Sequence, residues 1–89
     1  MQIEQSFVIG NELGLHARAA TRLVQVANRF EAEVEIEKDG QAVNGKSIMG
    51  VLMLMAAKGT TIIIRSDGDD APAAVKALGE LIDRKFDEE

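Results

Sequence analysis

Apolar and acidic residues alternate strictly over residues 32–37, where Ala32, Val34 and Ile36 are separated by Glu33, Glu35 and Glu37. Successive side chains of a strand point to opposite faces of its sheet, so this alternation predicts a strand with one buried face and one solvated, acidic face. Asp39-Gly40 follows, which is a strong signal for a two-residue hairpin turn. The chain is therefore expected to build an antiparallel sheet that is covered on one side only.

Three more strands and three helices follow from the rest of the pattern. The strands are predicted at residues 2–9, 41–43 and 61–65. The first helix is predicted to begin at Ala17, after a glycine-containing loop, and the other two helices are predicted to begin at Ser47 and at Asp70. Helices on one face of an antiparallel sheet would cover the apolar side of every strand. The predicted order is β-α-β-β-α-β-α.

The last helix carries its own start signals. Asp70 is predicted to cap it, with Pro72 in its first turn, and its apolar inner face runs from Val75 to Phe86. Gly79 lies inside this helix, where glycine costs about 1 kcal/mol relative to alanine. The pattern alone gives no reason for a glycine at this position.

The only histidine of the chain stands at the start of the first helix. Apolar residues spaced by three and four share one face of this helix, and the opposite face carries Arg18, Arg22, Gln25 and Arg29. His16 follows the permissive Gly14 and falls at or next to the N-cap. The first turn of a helix has free N–H groups and the positive end of the helix dipole, so it binds phosphate readily.

We interpret His16 as the carrier of a phosphoryl group on one imidazole nitrogen. The backbone N–H groups of Ala17 and Arg18 would donate to the phosphate oxygens, and the Arg18 guanidinium would pair with them. The alternative is that His16 is a surface residue or a modest cap without chemistry. A metal site is not expected, because the chain has no cysteine and no second histidine.

Length and charge limit the class of protein. Residues 1–89 are expected to form one small domain, and 46% hydrophobic residues suffice for a core. A net charge of −5 and three phenylalanines without tyrosine or tryptophan argue against nucleic-acid binding. The arginines of the first helix and Lys46 form the main basic surface, which suits a protein partner with an acidic face.

The location of the protein is predicted from what the sequence lacks. A basic region followed by an apolar run is absent from the first residues, and the longest apolar run, residues 51–57, is too short to span a bilayer. The absence of cysteine fits a reducing compartment. A cytoplasmic protein without membrane insertion is therefore expected.

Three segments resemble the histidine-containing phosphocarrier protein (HPr) family of bacterial phosphotransferase systems. They are Gly14-Leu15-His16-Ala17-Arg18, Gly45-Lys46-Ser47-Ile48-Met49-Gly50-Val51-Leu52 and Ala57-Lys58-Gly59-Thr60. The first is similar to the active-site motif of the family, the second to the segment with its regulatory serine, and the third leads into a strand as it does there. Three motifs in register over nearly the whole chain are a specific signal.

The resemblance implies an α+β fold of the open-faced β-sandwich type, with a four-stranded antiparallel sheet and helices on one face. It implies a monomeric carrier, not an independent enzyme, that takes a phosphoryl group on Nδ1 of His16 from phosphorylated enzyme I, and ultimately from phosphoenolpyruvate. An enzyme IIA domain would accept it in sugar uptake. No cofactor is expected, because Gly45-Lys46-Ser47 lacks the preceding glycine loop of a P-loop.

One residue departs from the family pattern, which usually has proline where this chain has Ala19. Alanine is a good helix former, so the helix should persist, although proline would fix the backbone more firmly. Two alternatives stay open. The Ala-Ala after Arg18 and the ending Phe86-Asp87-Glu88-Glu89 are similar to the regulatory, nitrogen-related branch, whereas Gly50 is similar to the sugar-transport branch. A binding adaptor switched by Ser47, with His16 only as a cap, is the second alternative.

Ser47 is predicted to cap the second helix, which contributes about 1 kcal/mol. The resemblance also makes it the target of a serine kinase or phosphorylase, and a phosphate there would add about −2 charge to a docking surface. The second helix has more apolar residues than one face can bury, so Ile48 and Met49 are predicted to be exposed. The residues expected to dock partners are Arg22, Lys46, Ile48, Met49 and Leu52.

Overall fold

The computed structural model describes residues 1–88, and it confirms the predicted order of strands and helices. The strands are β1 (Gln2–Val8), β2 (Glu33–Lys38), β3 (Gln41–Asn44) and β4 (Thr61–Asp67). The helices are α1 (Ala17–Ala27), α2 (Ile48–Met53) and α3 (Ala71–Asp83). A C-terminal turn (Lys85–Asp87) follows α3. Glu89, the last residue of the acidic ending, lies outside the described residues.

The four strands form one antiparallel sheet in the order β1-β4-β2-β3. Ile36 of β2 pairs with Ile64 of β4 on one side and with Val43 of β3 on the other. Ile36, Ile62 and Ile64 are fully buried, whereas Glu33 and Glu35 are exposed. The fold is therefore the predicted open-faced sandwich, with three helices against the apolar face of the sheet.

On the open face of the sheet, three glutamates surround the guanidinium of Arg65. Arg65 in β4 contacts Glu4 at 2.8 Å, Glu35 at 3.2 Å and Glu37 at 2.6 Å. The carboxylates of two strands thus share a guanidinium instead of repelling each other across the solvated face. Within residues 1–88, no helix has both the length and the apolar composition that crossing a membrane requires.

Strand ends differ slightly from the predicted ones. β1 ends at Val8, one residue earlier than predicted, and Ile9 is fully buried beyond it. β4 continues two residues past Arg65, because Ser66 and Asp67 pair with both β1 and β2. A central strand with two partners gains ladder hydrogen bonds that the apolar pattern does not reveal.

Two predictions for the last helix are wrong. α3 ends at Asp83, so Phe86 is not on its inner face, although its side chain is fully buried. Phe86 reaches the core through the C-terminal turn, whose three residues have φ angles of 56, 57 and 60°. Asp70 stands at the N-cap but makes no side-chain cap bond; its carboxylate instead accepts from the N–H groups of Glu31 at 3.0 Å and Ala32 at 2.8 Å. These two hydrogen bonds hold the pKa of Asp70 below its ordinary value.

Gly79 is required in α3 because the ring of Phe7 packs directly against it. A Cβ atom at Gly79 would lie 2.6 Å from Cε1 of Phe7 in β1, which is closer than van der Waals contact allows. The glycine therefore lets the helix approach the edge strand of the sheet. This close approach offsets the low helix propensity of glycine.

Replacing Gly79 with alanine should lower the free energy of unfolding by about 1 kcal/mol, because displacing the Phe7 ring costs more than the gain in helix propensity returns. Gly50→Ala in α2 is the matched control. A Cβ at Gly50 would meet its nearest neighbour at 3.4 Å, so alanine there should stabilise the protein or leave it unchanged. Urea unfolding of both variants measures the difference. Stabilisation by Gly79→Ala would contradict the packing argument.

Candidate functional site

The loop before α1 is fixed by backbone contacts with the segment between α2 and β4. The N–H of Leu15 donates to the carbonyl of Ala56 at 2.8 Å, and the Leu15 side chain is buried in the core. Gly14 has a φ of +65°, and a Cβ there would lie 2.4 Å from the Ala56 oxygen. Lys58 contacts Glu12 at 2.6 Å, which holds the pKa of the Glu12 carboxyl below its ordinary value. The entry into α1 is therefore well defined.

His16 is the N-cap of α1, as predicted, with an extended backbone (φ −75°, ψ −179°). Its carbonyl accepts from the N–H of Ala20 at 2.8 Å, which closes the first helical turn. Its Nδ1 accepts from the N–H of Arg18 at 3.4 Å. The imidazole is therefore folded back over the first turn, next to the N–H groups of Ala17 and Arg18 that lack a partner within the helix.

The other imidazole nitrogen contacts a carboxylate that the sequence pattern did not reveal. Nε2 of His16 lies 2.6 Å from Oε2 of Glu88. The second oxygen of Glu88 accepts from Nδ2 of Asn11 at 2.9 Å, and the same Nδ2 donates to the carbonyl of Gly14 at 2.8 Å. These hydrogen bonds, with that from Asn11 first, hold the pKa of the Glu88 carboxyl below its ordinary value.

Glu88 is held at the site by the C-terminal turn. Phe86 is fully buried, and its carbonyl accepts a hydrogen bond from the guanidinium of Arg22 in α1. Arg22 was predicted on the solvated face of α1 as a docking residue, but it is half-buried and engaged by the turn. The separation of 72 residues between His16 and Glu88 explains why no local pattern indicated their contact.

Arg18 is exposed on α1, as the helical spacing predicts. Its positive charge is one of the causes that hold the pKa of the Glu88 carboxyl below its ordinary value, after the hydrogen bonds with Asn11 and His16. The site thus combines His16, Arg18 and the N–H groups of the first turn, of which that of Arg18 donates to Nδ1 of His16. It adds two residues that sequence reasoning missed, Asn11 and Glu88.

Ser47 is the N-cap of α2, as predicted, and its Oγ accepts from the N–H of Gly50 at 3.1 Å. The neighbouring Lys46 carbonyl accepts from Nδ2 of Asn28, the C-cap residue of α1, at 3.4 Å. Ser47 therefore lies near the opposite end of α1 from His16. Because α1 has 11 residues, the helix separates the two by about 16 Å.

The side of α2 that faces solvent is apolar. Ile48 is 40% exposed and Met49 is 71% exposed, in line with the prediction, while Leu52 is half-buried against the core. Exposure extends to Met53 and Met55, which had not been predicted as surface residues. Lys46, the other predicted cation here, directs Nζ to the Phe30 carbonyl at 2.7 Å. The α2 surface, defined by Ile48, Met49 and Met53, is thus a methionine-rich patch beside α1.

Comparison with known proteins agrees with this architecture. The family model described as "PTS HPr component phosphorylation site" matches residues 3–84. Phosphocarrier protein HPr of Neisseria meningitidis serogroup A is 50% identical over 86 residues, covering 97% of each chain. Phosphocarrier protein NPr of Shewanella violacea is 44% identical over 87 residues, covering 98% of this chain and 96% of its own.

Solved structures give the same result at the level of the fold. The crystal structure of HPr-C-His from Thermoanaerobacter tengcongensis matches with a TM-score of 0.95 and 44% identity, and covers 98% of both chains. An HPr dimer from the same organism matches with a TM-score of 0.79 at 44% identity, over 92% of this chain and 94% of its own. The family model, the sequence relatives and the shared fold agree over nearly the full length, and the chain belongs to the HPr family of phosphotransferase-system phosphocarrier proteins.

Proposed function

We propose that His16 accepts a phosphoryl group from phosphorylated enzyme I and passes it to an enzyme IIA domain. The observation that carries this proposal is the position of His16 as the N-cap of α1, with Nδ1 beside the N–H of Arg18. A phosphoryl group on Nδ1 would lie at the positive end of α1. The N–H groups of Ala17 and Arg18 would donate to its oxygens, and the exposed Arg18 guanidinium would pair with them.

The transfer needs no cofactor. The lone pair of Nδ1 forms the new nitrogen–phosphorus bond, while the bond between phosphorus and the donor breaks and its electron pair stays with the donor. The reverse displacement delivers the group to the acceptor. The imidazole is only 28% exposed, so donor and acceptor proteins must each dock closely and supply the remaining groups.

Partner docking is proposed to use the α2 surface together with the cations beside it. Exposed methionines adapt to several partners because their side chains are flexible and polarisable. Arg18 and Lys46 would contribute positive charge toward acidic partner faces. Arg22 and Leu52 are half-buried, so they would contribute to this surface only through the atoms that remain exposed.

The finer identity of the acceptor belongs to the same proposal. Sugar uptake is the first candidate on the similarity of Gly50 to the sugar-transport branch. Sequence identity does not separate the branches, because HPr relatives match at 43–50% and an NPr relative at 44%. A nitrogen-type regulatory acceptor is the alternative. Offering the phosphorylated protein to IIA domains of both kinds would separate them by transfer rate. The phosphoryl transfer is proposed to take place in the cytoplasm. This chain is proposed to act as a monomer, whereas one relative forms a dimer. Analytical ultracentrifugation would distinguish the two states.

Incubation with enzyme I and phosphoenolpyruvate should add one phosphate to the protein. The adduct should be lost in acid, because a phosphoryl group on imidazole nitrogen is labile there, and it should be absent from His16→Ala. Intact mass before and after acid treatment measures both properties. Undiminished phosphorylation of His16→Ala would overturn the assignment and favour an adaptor role for the chain.

Replacing Arg18 with alanine should slow phosphoryl transfer at least tenfold, because the variant loses a charge-assisted contact to the phosphate. The free energy of unfolding should change by less than about 0.5 kcal/mol, since the side chain is exposed. Arg29→Ala, which removes another exposed arginine just beyond α1, is the matched control. Equal transfer rates in the two variants would show that Arg18 has no special role.

A negative charge at Ser47 is proposed to act on docking and not on the chemistry of His16. Ser47 is next to the α2 surface and to Lys46, but it is about a helix length from His16, and exposed charges at that distance are largely screened. An anion there would lower the positive potential that attracts an acidic partner. A serine kinase acting on Ser47 would use this effect.

Ser47→Asp should therefore weaken binding to enzyme I while the protein stays folded. Ser47→Asn is the matched control, because both residues cap helices well and only aspartate adds charge. Calorimetric titration should give a weaker affinity for Ser47→Asp at low salt, and the gap should narrow as salt rises. Equal affinities of the two variants at low salt would leave Ser47 with its cap role alone.

A further inference from the structure

The C-terminal turn brings a carboxylate onto the imidazole from the side opposite the helix. We infer that Glu88, anchored by Asn11, is a positioning residue that keeps the proton of His16 on Nε2, so that Nδ1 is the unprotonated nitrogen. This inference rests on the proposed function. Glu88 does not touch the phosphoryl group in this arrangement, because it acts through the far nitrogen of the ring.

The carboxylate is held by ordered structure and not by a loose chain end. The Glu88 side chain is only 12% exposed. The residues before it are fixed by the buried Phe86, by the hydrogen bond from Arg22 to the Phe86 carbonyl and by the contact of Arg84 with Asp87 at 3.0 Å. Three successive left-handed residues are uncommon outside glycine, so the turn is maintained by these contacts.

The role of Asn11 follows from its two partners. Asn11 is 2% exposed, and its side-chain nitrogen lies between the Gly14 carbonyl and Oε1 of Glu88, both of which can only accept. The NH₂ group must therefore occupy this position, because the amide oxygen could donate to neither. Asn11 thus directs one carboxylate oxygen, and Oε2 is left to face His16.

The protonation of the ring follows by the same reasoning. An ionised carboxylate accepts hydrogen bonds only, so the nitrogen 2.6 Å from Oε2 must carry the proton. The backbone N–H of Arg18 is a donor, so Nδ1, which faces it, must be unprotonated. Both neighbours of the ring therefore favour the same tautomer. The nitrogen they leave unprotonated is the one at the end of α1, where a phosphoryl group can be held.

The same contact helps after the transfer. When the Nδ1 lone pair bonds to phosphorus and the proton stays on Nε2, the imidazole ring becomes positively charged. The Glu88 carboxylate then faces a cationic N–H, and the hydrogen bond becomes charge-assisted on both sides. No proton has to leave during the step, because Nε2 keeps its hydrogen throughout.

Nitrogen-15 NMR of the ring tests the inference directly, because the chain has one histidine. At about pH 8.5, where imidazoles are neutral, the unphosphorylated protein should show a proton on Nε2, protected from solvent, with a nuclear Overhauser contact to the Glu88 side chain. Glu88→Gln removes the charge at constant size and should lose that protected signal. Glu80→Gln, which makes the same substitution at an exposed position of α3, is the matched control and should retain it.

The transfer rate gives the second measurement. In rapid-quench experiments with phosphorylated enzyme I, Glu88→Gln should slow transfer within the complex about tenfold, while the affinity for enzyme I stays as in Glu80→Gln. A proton on Nδ1 in the unchanged protein, or equal signals and rates in the two variants, would overturn the positioning role. The NMR measurement needs no transfer, so a protein that takes up no phosphate would refute the proposed function separately.

Discussion

The site depends on one backbone joint, at which the loop entering α1 meets the segment that follows α2. The Leu15 N–H donates to the Ala56 carbonyl at 2.8 Å, and Gly14 fits against the same carbonyl only because it has no Cβ. A side chain there would push the loop away and would also be strained at a φ of +65°. This joint fixes where α1 begins, and so it makes His16 the N-cap and not an ordinary loop residue. The direction of the helix dipole at the imidazole follows from it.

The two ends of α1 contact different parts of the fold. At its N-terminal end, His16 meets Glu88. At the middle of the helix, Arg22 donates to the Phe86 carbonyl of the C-terminal turn. Its C-terminal end meets the start of α2, through Asn28 on the Lys46 carbonyl. The helix therefore separates the imidazole from the cap of α2 by about its own length. The proposed transfer at His16 and the proposed docking at the α2 surface therefore lie on different parts of the fold.

The fold was largely predictable because its signals are local. The alternation at residues 32–37 gave β2 with the correct buried face, and Asp39-Gly40 gave the turn to β3. Where the prediction was wrong, a partner distant in sequence had taken over a local role. The Asp70 carboxylate makes no side-chain cap bond to its own helix, because both of its oxygens accept from N–H groups of the α1–β2 loop. Phe86 lies outside the helix and reaches the core from a left-handed turn.

The sequence by itself determined the elements, the family and the position of His16 at a helix start, since periodicity and short motifs act within a few residues. Only the tertiary structure decided what lies against the imidazole. Asn11 and Glu88 carry no motif, and each is a common polar residue near a loop or a chain end. They meet His16 because a buried phenylalanine and an arginine of α1 fix the turn that carries Glu88. Contacts of this kind depend on the tertiary fold, because their partners are far apart in the sequence and no local spacing predicts them.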